Sequence, residues 1–185
     1  MELQDILEKH REYYLNHYNE VTSSIKDSQN EILLKLPAIK SNEVFELYRY
    51  DIISGEKESP NIQEINTDGY LNHEELGYSV NNKGIVLAPI VWNGVDFTVD
   101  KEYNNFKTLI NWAKNWIDSE DKSSDTKPQG FIHSITEPEV ENNNVTFSVD
   151  FGTAPIDSLI ELLILLSKEK EVNNIKLSST WMTGE

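Results

Sequence analysis

The sequence predicts an α+β fold: a mostly antiparallel sheet packed by a long N-terminal helix, a middle helix and an apolar C-terminal helix. Three observations carry this reading. Residues 2–27 place Leu3, Ile6, Leu7, Tyr14, Leu15, Tyr18 and Val21 at spacings near three and four, the period of an amphipathic helix. Stretches such as "NEVFELYRYDII" and "VTFSVDF" alternate with period two and are rich in β-branched and aromatic residues. Hairpin signals and helices are intermixed without regular βαβ alternation, which favours an antiparallel sheet over a parallel one. The 185 residues are expected to form one domain, an N-terminal helix over 1–27 and an α+β body over 31–185.

Taken in order, the first helix exits at "DSQN", and "EILLKLPAI" and "NEVFELYRYDII" read as strands. In the second of these, Phe45, Leu47 and Arg49 share one phase, and Val44, Glu46, Tyr48 and Tyr50 the other. "SGEKESPN" reads as a loop, and "IQEINTDGYLNHEELGYSVNNKG" as irregular chain or short strands. In "GIVLAPIVWNGVDFTVD" two apolar stretches flank Asn93-Gly94, a dipeptide suited to a tight hairpin, with Pro89 marking an edge or bulge. "KEYNNFKTLINWAKNWID" is a helix, "SEDKSSDTKPQG" a surface loop, and "FIHSITEPEVENNNVTFSVDF" a second hairpin with an Asn-rich connection. A helix over about 154–170 and a strand in "NNIKLSSTW" close the chain.

The stretch "VDFGTAPIDSLIELLILL" combines Asp150-Phe151-Gly152 with a helix start. A kinase would need a Gly-rich loop, a strand Lys with a helix Glu and a His-Arg-Asp loop, and the chain carries none of them. The residues suit a turn instead. Gly152 leaves the strand, Thr153 caps the helix, Pro155 occupies its first turn, and Asp157 sits near the positive end of the dipole. The helix is apolar almost all round, so several sides must be covered, by the sheet and first helix or by a second subunit in a homodimer.

Composition narrows function. With 16 Lys+Arg against 32 Asp+Glu the formal net charge is −16. That disfavours nucleic-acid phosphate and anionic membrane as partners and permits attraction to a basic protein, the plain alternative being that the acidity only provides solubility. Cys is absent, which removes disulfides, thiolate metal sites and a Cys nucleophile. No apolar signal core opens the chain and the longest apolar run is too short to span a bilayer, so a cytoplasmic protein is expected.

"NHEELG" lacks the second His of a zinc-protease helix, and His10 and His17 stand two turns apart rather than at chelating spacing, so no metal or other cofactor is expected. No Ser or Thr has a nucleophile elbow around it. The acidic clusters are Glu74-Glu75, Asp118-Glu120-Asp121 and Glu137-Glu139-Glu141; the last two flank one long loop, an arrangement that lets them converge. Trp112, Trp116, Tyr70 and Tyr78 are candidate interface anchors or core residues.

The run "VTFSVDFGTAPIDSLIELLILLSKEKEVNNIKLSS", with weaker support from "APIVWNGVDF", resembles small immunity-type proteins of bacterial polymorphic toxin systems. The resemblance implies a cytoplasmic, non-catalytic protein that sequesters a cognate toxin by covering its active site. The expectation is thus an acidic binding protein whose Asp118, Glu120, Asp121, Glu137, Glu139 and Glu141 pair with Lys and Arg of a basic toxin, such as a nuclease. Two alternatives stand beside it. One is a small hydrolase or ligand-binding enzyme using Glu137, Glu139 or Asp150, with His133 nearby; the other is a structural or adaptor protein dimerising through the C-terminal helix.

Overall fold

The computed structural model describes residues 2–25, 29–34, 44–56, 59–67, 69–100, 106–120 and 130–180. The chain is an α+β protein. Helix α1 (Leu3–Ser24) leads into β1 (Gln29–Leu34), and a 3-10 turn at Val44–Glu46 precedes β2 (Tyr48–Glu56) and β3 (Ser59–Gln63). Next come β4 (Leu76–Val80), β5 (Lys83–Leu87), β6 (Val95–Asp100) and α2 (Phe106–Trp116). The last part holds β7 (Ser134–Ile135), β8 (Glu139–Glu141), β9 (Asn144–Asp150), α3 (Ile156–Ser167) and β10 (Asn174–Ser178).

Two sheets form. The small one is antiparallel, in the order β1-β2-β3. The large one runs β4-β5-β10-β6-β9-β7, with β8 also paired to β9. It is mixed, because β10 lies parallel to β5 and antiparallel to β6. Strict alternation in β6 and β9 sends Val95, Phe97, Val99, Val145, Phe147 and Val149 into the core and leaves the intervening polar residues on the other face.

The expected hairpin at Asn93-Gly94 does not form. That dipeptide makes only a local turn, Gly94 N–H donating to Val91 O at 3.0 Å, and β10 inserts between β5 and β6. Ile175 and Leu177 give β10 a fully buried face, and the buried Ser179 ties it to the turn by accepting from Val91 N–H at 2.9 Å and donating to Gly94 O at 2.5 Å. The hairpin turns of the large sheet are instead Asn81-Asn82 (φ 49 and 62) and Asn142-Asn143 (φ 50 and 63). Positive φ at both central residues matches the twist of the flanking strands, and Asn tolerates that region better than most residues.

Two further expectations shift. The strand expected over "NEVFELYRYDII" begins only at Tyr48, after the 3-10 turn. "SGEKESPN" is mostly the paired ends of β2 and β3, with Ser54 opposite Asn61 and Gly55 opposite Pro60. Pro60 is tolerated because β3 is an edge strand, exposed along its length. The second half of "EILLKLPAI" and most of the loop expected at 119–130 lie outside the described residues.

Helix α3 is covered mainly by its own chain, with α1 and α2 against it; Leu159, Leu162, Leu163 and Leu166 are buried, and an edge of Asp157, Glu161 and Ile164 stays open. Thr153 does not cap this helix. Pro155 is the N-cap residue, which leaves Thr153 two positions before the cap, and its hydroxyl donates to Glu31 Oε1. Phe151, fully buried, sits among Trp92, Phe97 and Trp112, with ring centroids 4.9, 6.3 and 6.3 Å away. Trp112 is therefore core, whereas Tyr70 is exposed and Trp116 and Tyr78 are half-buried. Among the described residues, no helix is long and apolar enough to cross a membrane.

Candidate functional site

Two polar constellations stand out, one buried and one open. The buried one lies where β9 exits through Asp150-Phe151-Gly152 and meets the small sheet and α1. His133, just before β7, is buried. Its Nδ1 lies 3.2 Å from Asp51 Oδ1 and its Nε2 3.2 Å from Glu31 Oε1, with Asp150 Oδ2 at 4.0 Å. Asp51 also accepts from Tyr14 Oη at 2.9 Å and from Ile65 N–H at 2.7 Å, and Asp150 accepts from Gly152 N–H at 2.8 Å. Tyr14, Asp51, His133, Glu31 and Thr153 thus form one hydrogen-bonded chain across α1, β2, the approach to β7, β1 and the turn.

Burial opposes charge on His133, but the hydrogen bonds to Asp51 and Glu31 outweigh it and push its pKa up to about 10. Burial likewise opposes charge on Asp51, yet His133, Ile65 N–H and Tyr14 hold its carboxyl below the usual range. Asp150 goes the other way: burial raises its carboxyl to about 7, with His133 only partly offsetting.

The sign of the pH dependence follows. His133 contributes stability that is complete below its unfolded pKa near 6.5 and is lost as pH rises through about 10. Ionising Asp150 costs the folded state, a penalty absent below about pH 4 and complete above about 7. Asp150→Asn, which keeps the acceptor for Gly152 N–H, is therefore expected to be more stable than wild type at pH 8, with the difference vanishing toward pH 4. Thermal melts of both proteins across that range test this, and a variant less stable at pH 8 would mean that the attraction to His133 dominates.

Arg49 closes the same junction. Its buried guanidinium donates to Ile117 O at 2.6 Å, Glu31 O at 2.7 Å and Asp118 O at 3.3 Å, and lies 4.0 Å from the centre of the Phe131 ring. Glu31, Arg49 and Asp51 were not among the expected site residues. The signal was present in the strand phase: Arg49 shares the positions of Phe45 and Leu47, and Asp51 continues it, so two charged residues fall on an inward face.

The open constellation lies on the face of the large sheet turned away from the apolar core. There Asp96 and Thr98 of β6, Thr146 and Ser148 of β9, and Lys176 and Ser178 of β10 help line a groove of about 670 Å³. Glu75, Glu137 and Glu139 also line it, so together with Asp96 the groove carries four carboxylates and one ammonium. Lys176 Nζ is engaged by Glu75 at 2.6 Å, and Asp96 by Ser148 Oγ and by Thr180 N–H at 2.6 Å. Glu137 and Glu139 are exposed on the groove wall.

The expected partner-binding residues therefore separate. Glu137 and Glu139 line the groove, and Glu141 is exposed in β8 opposite Asn144. Asp118 is half-buried, with φ 53 and its carboxylate 3.8 Å from Arg49, so it braces the protein's own fold. Glu120 is exposed, and Asp121 lies outside the described residues. Asp118 does not converge with Glu141. Asp118 neighbours the Asp150 end of β9 through Arg49 and His133, and Glu141 the Asn144 end, six residue steps or roughly 20 Å away. Of the residues expected for acid–base chemistry, the structure brings Asp150 to His133 but leaves Glu137 and Glu139 on the separate groove.

No protein-family model, curated protein or solved structure matches the chain.

Proposed function

We propose that this protein is a non-enzymatic acidic binding protein whose open sheet face receives a basic segment of a partner protein. The observation that carries the reading is the groove on a sheet face, lined by four carboxylates and by one lysine that is already paired with Glu75. In this reading Lys and Arg of the partner meet Glu137 and Glu139 first, with Glu141 extending the acidic rim. The most specific form is a cytoplasmic immunity protein that occludes the active site of a basic toxin, such as a nuclease, by engaging the cations that would hold phosphate. The formal charge of −16 supports steered, salt-sensitive association.

The hydrolase alternative is less well supported, because both ring nitrogens of His133 already face carboxylates and so offer no free base to a substrate. The dimeric adaptor alternative rests on the narrow open edge of α3 and would end with a monomer in solution.

The test is co-purification from the native cell with wild type and with Glu137→Lys/Glu139→Lys. A stoichiometric basic partner is expected with wild type at low salt, bound at least about tenfold more weakly by the variant because like charges now face each other. Melting curves should coincide, since both side chains are exposed. Equal retention by both proteins at every salt concentration would reject the groove as the docking surface.

A further inference from the structure

The large sheet ends in an unprotected edge. Among the described residues β4 pairs only with β5, one residue to one from Leu76–Leu87 to Val80–Lys83, with no bulge. Asn81-Asn82 closes this hairpin as a two-residue turn, so Val80 and Lys83 exchange main-chain hydrogen bonds. The bonded pairs then alternate, with Tyr78–Ile85 and Leu76–Leu87 next. Gly77 and Ser79 therefore turn their N–H and C=O groups outward, away from β5, and among the described residues nothing pairs with them. Both are exposed, and a Cβ on Gly77 would meet nothing within 4 Å. Edge strands are commonly blunted by charge, proline or a bulge, and Leu76–Val80 has none of these.

Beside this edge runs an apolar groove. Tyr78 and Val80 turn to the core side of the sheet, and with Leu3 of α1 and Ile160 and Ile164 of α3 they line a space of about 620 Å³. Glu2 lines it too. Partial burial and then the charge of the exposed Asp5 raise the Tyr78 pKa, which sets a second carboxylate near the groove. A strand added to β4 would place every second side chain on the side of Tyr78 and Val80, over the groove. Its main chain would pair with Gly77 and Ser79, its apolar side chains would cover Ile160 and Ile164, and a basic residue at one end would meet Glu2 and Asp5. A second copy fits less well. Pairing β4 with β4 about a two-fold axis brings two α1 N-termini, each with Glu2 and Asp5, toward that axis, between chains of formal charge −16.

We propose that the β4 edge and this groove bind an extended segment of a partner protein by strand addition, a segment apolar at alternate positions and basic at its ends. The site lies on the other side of the sheet from the acidic groove and stands without it. The probe is the peptide RVTVTVTVR, with EVTVTVTVE as its charge-reversed control. The first is expected to bind the full-length protein and to slow hydrogen exchange at the Gly77 and Ser79 amides. Ser79→Pro removes an outward N–H but no bond to β5, and Ile164→Lys puts a charge into the groove at an exposed helix position. Each should weaken RVTVTVTVR at least about tenfold, and EVTVTVTVE should bind wild type at least about tenfold more weakly. Glu137→Lys/Glu139→Lys should bind within about threefold of wild type at an ionic strength of about 0.15 M, so this site and the acidic groove can fail separately. If Ser79→Pro does not melt cooperatively, Ile164→Lys carries the test. No slowing at the two amides, or equal binding by wild type and Ile164→Lys, would overturn the site. So would a wild-type dimer that Ser79→Pro converts to monomer, because a second copy would then hold the edge.

Discussion

Replacing His133 with alanine is expected to lower the free energy of unfolding at neutral pH by about 3–5 kcal/mol, the cost of removing one partner from a buried ion pair. The imidazolium separates Asp51, Glu31 and Asp150, all within 4.0 Å of its nitrogens. Without it, the carboxylates of buried Asp51 and of partly buried Glu31 and Asp150 face one another, offset among the described residues by Tyr14, Thr153 and two main-chain N–H groups. Part of the loss reflects charge rather than lost volume, so the deficit should shrink on acidification as the carboxylates take up protons. Urea denaturation of wild type and variant at pH 7 and pH 5 checks both parts. A deficit under about 1 kcal/mol, or one unchanged by pH, would show that the network is solvated enough to do without its cation.

Gly152→Ala is the second large effect, for a reason linked to the first. Gly152 has φ +45, and a Cβ there would lie 2.3 Å from both Cδ2 and Nε2 of His133. A side chain would therefore strain the backbone, at about 1–3 kcal/mol. It would also push the imidazole off its carboxylates, an overpacking cost of about 1–3 kcal/mol before any hydrogen bond is lost. Gly77→Ala is the matched control. Its φ is ordinary and a Cβ meets nothing within 4 Å, so its stability should stay within about 0.5 kcal/mol of wild type. If the two alanine variants melted together, the close approach of the turn to His133 would not be a constraint on the fold.

These two positions change the meaning of Asp150-Phe151-Gly152. As a sequence, the triplet suggests metal or phosphate chemistry. In the folded protein each residue has a structural task. Asp150 joins the edge of the His133 network, Phe151 fills the space between Trp92, Phe97 and Trp112, and Gly152 lets the chain pass close over the imidazole.

Much of the fold was legible because its signals are local. The periodicity of 3–24 makes α1, the apolar circumference of 156–167 makes a buried α3, and alternation in 144–150 makes β9. Glu137 and Glu139 were legible as exposed acids for the same reason, lying in a polar run beside a hairpin. The errors fell where a choice depended on distant chain. Asn93-Gly94 has the local chemistry of a hairpin, but β10, far later in the chain, competes for the same strand edges and inserts between β5 and β6. Asp118 reads as one acid of a surface cluster, yet Arg49 captures its main-chain oxygen and carboxylate from a strand far back in the sequence.

The sequence by itself determined the α+β class, the helices, the strand phases and the strongly acidic balance, because propensity, periodicity and charge are properties of neighbouring residues. Tertiary structure alone decided which strands pair. It also decided that His133 meets Asp51 and Glu31, that His10 faces His73, and that only part of the expected acidic surface lines a groove. Those outcomes join residues tens to more than a hundred positions apart. Burial makes such contacts strong, through desolvated charges and hydrogen bonds, but nothing in the adjacent sequence encodes them.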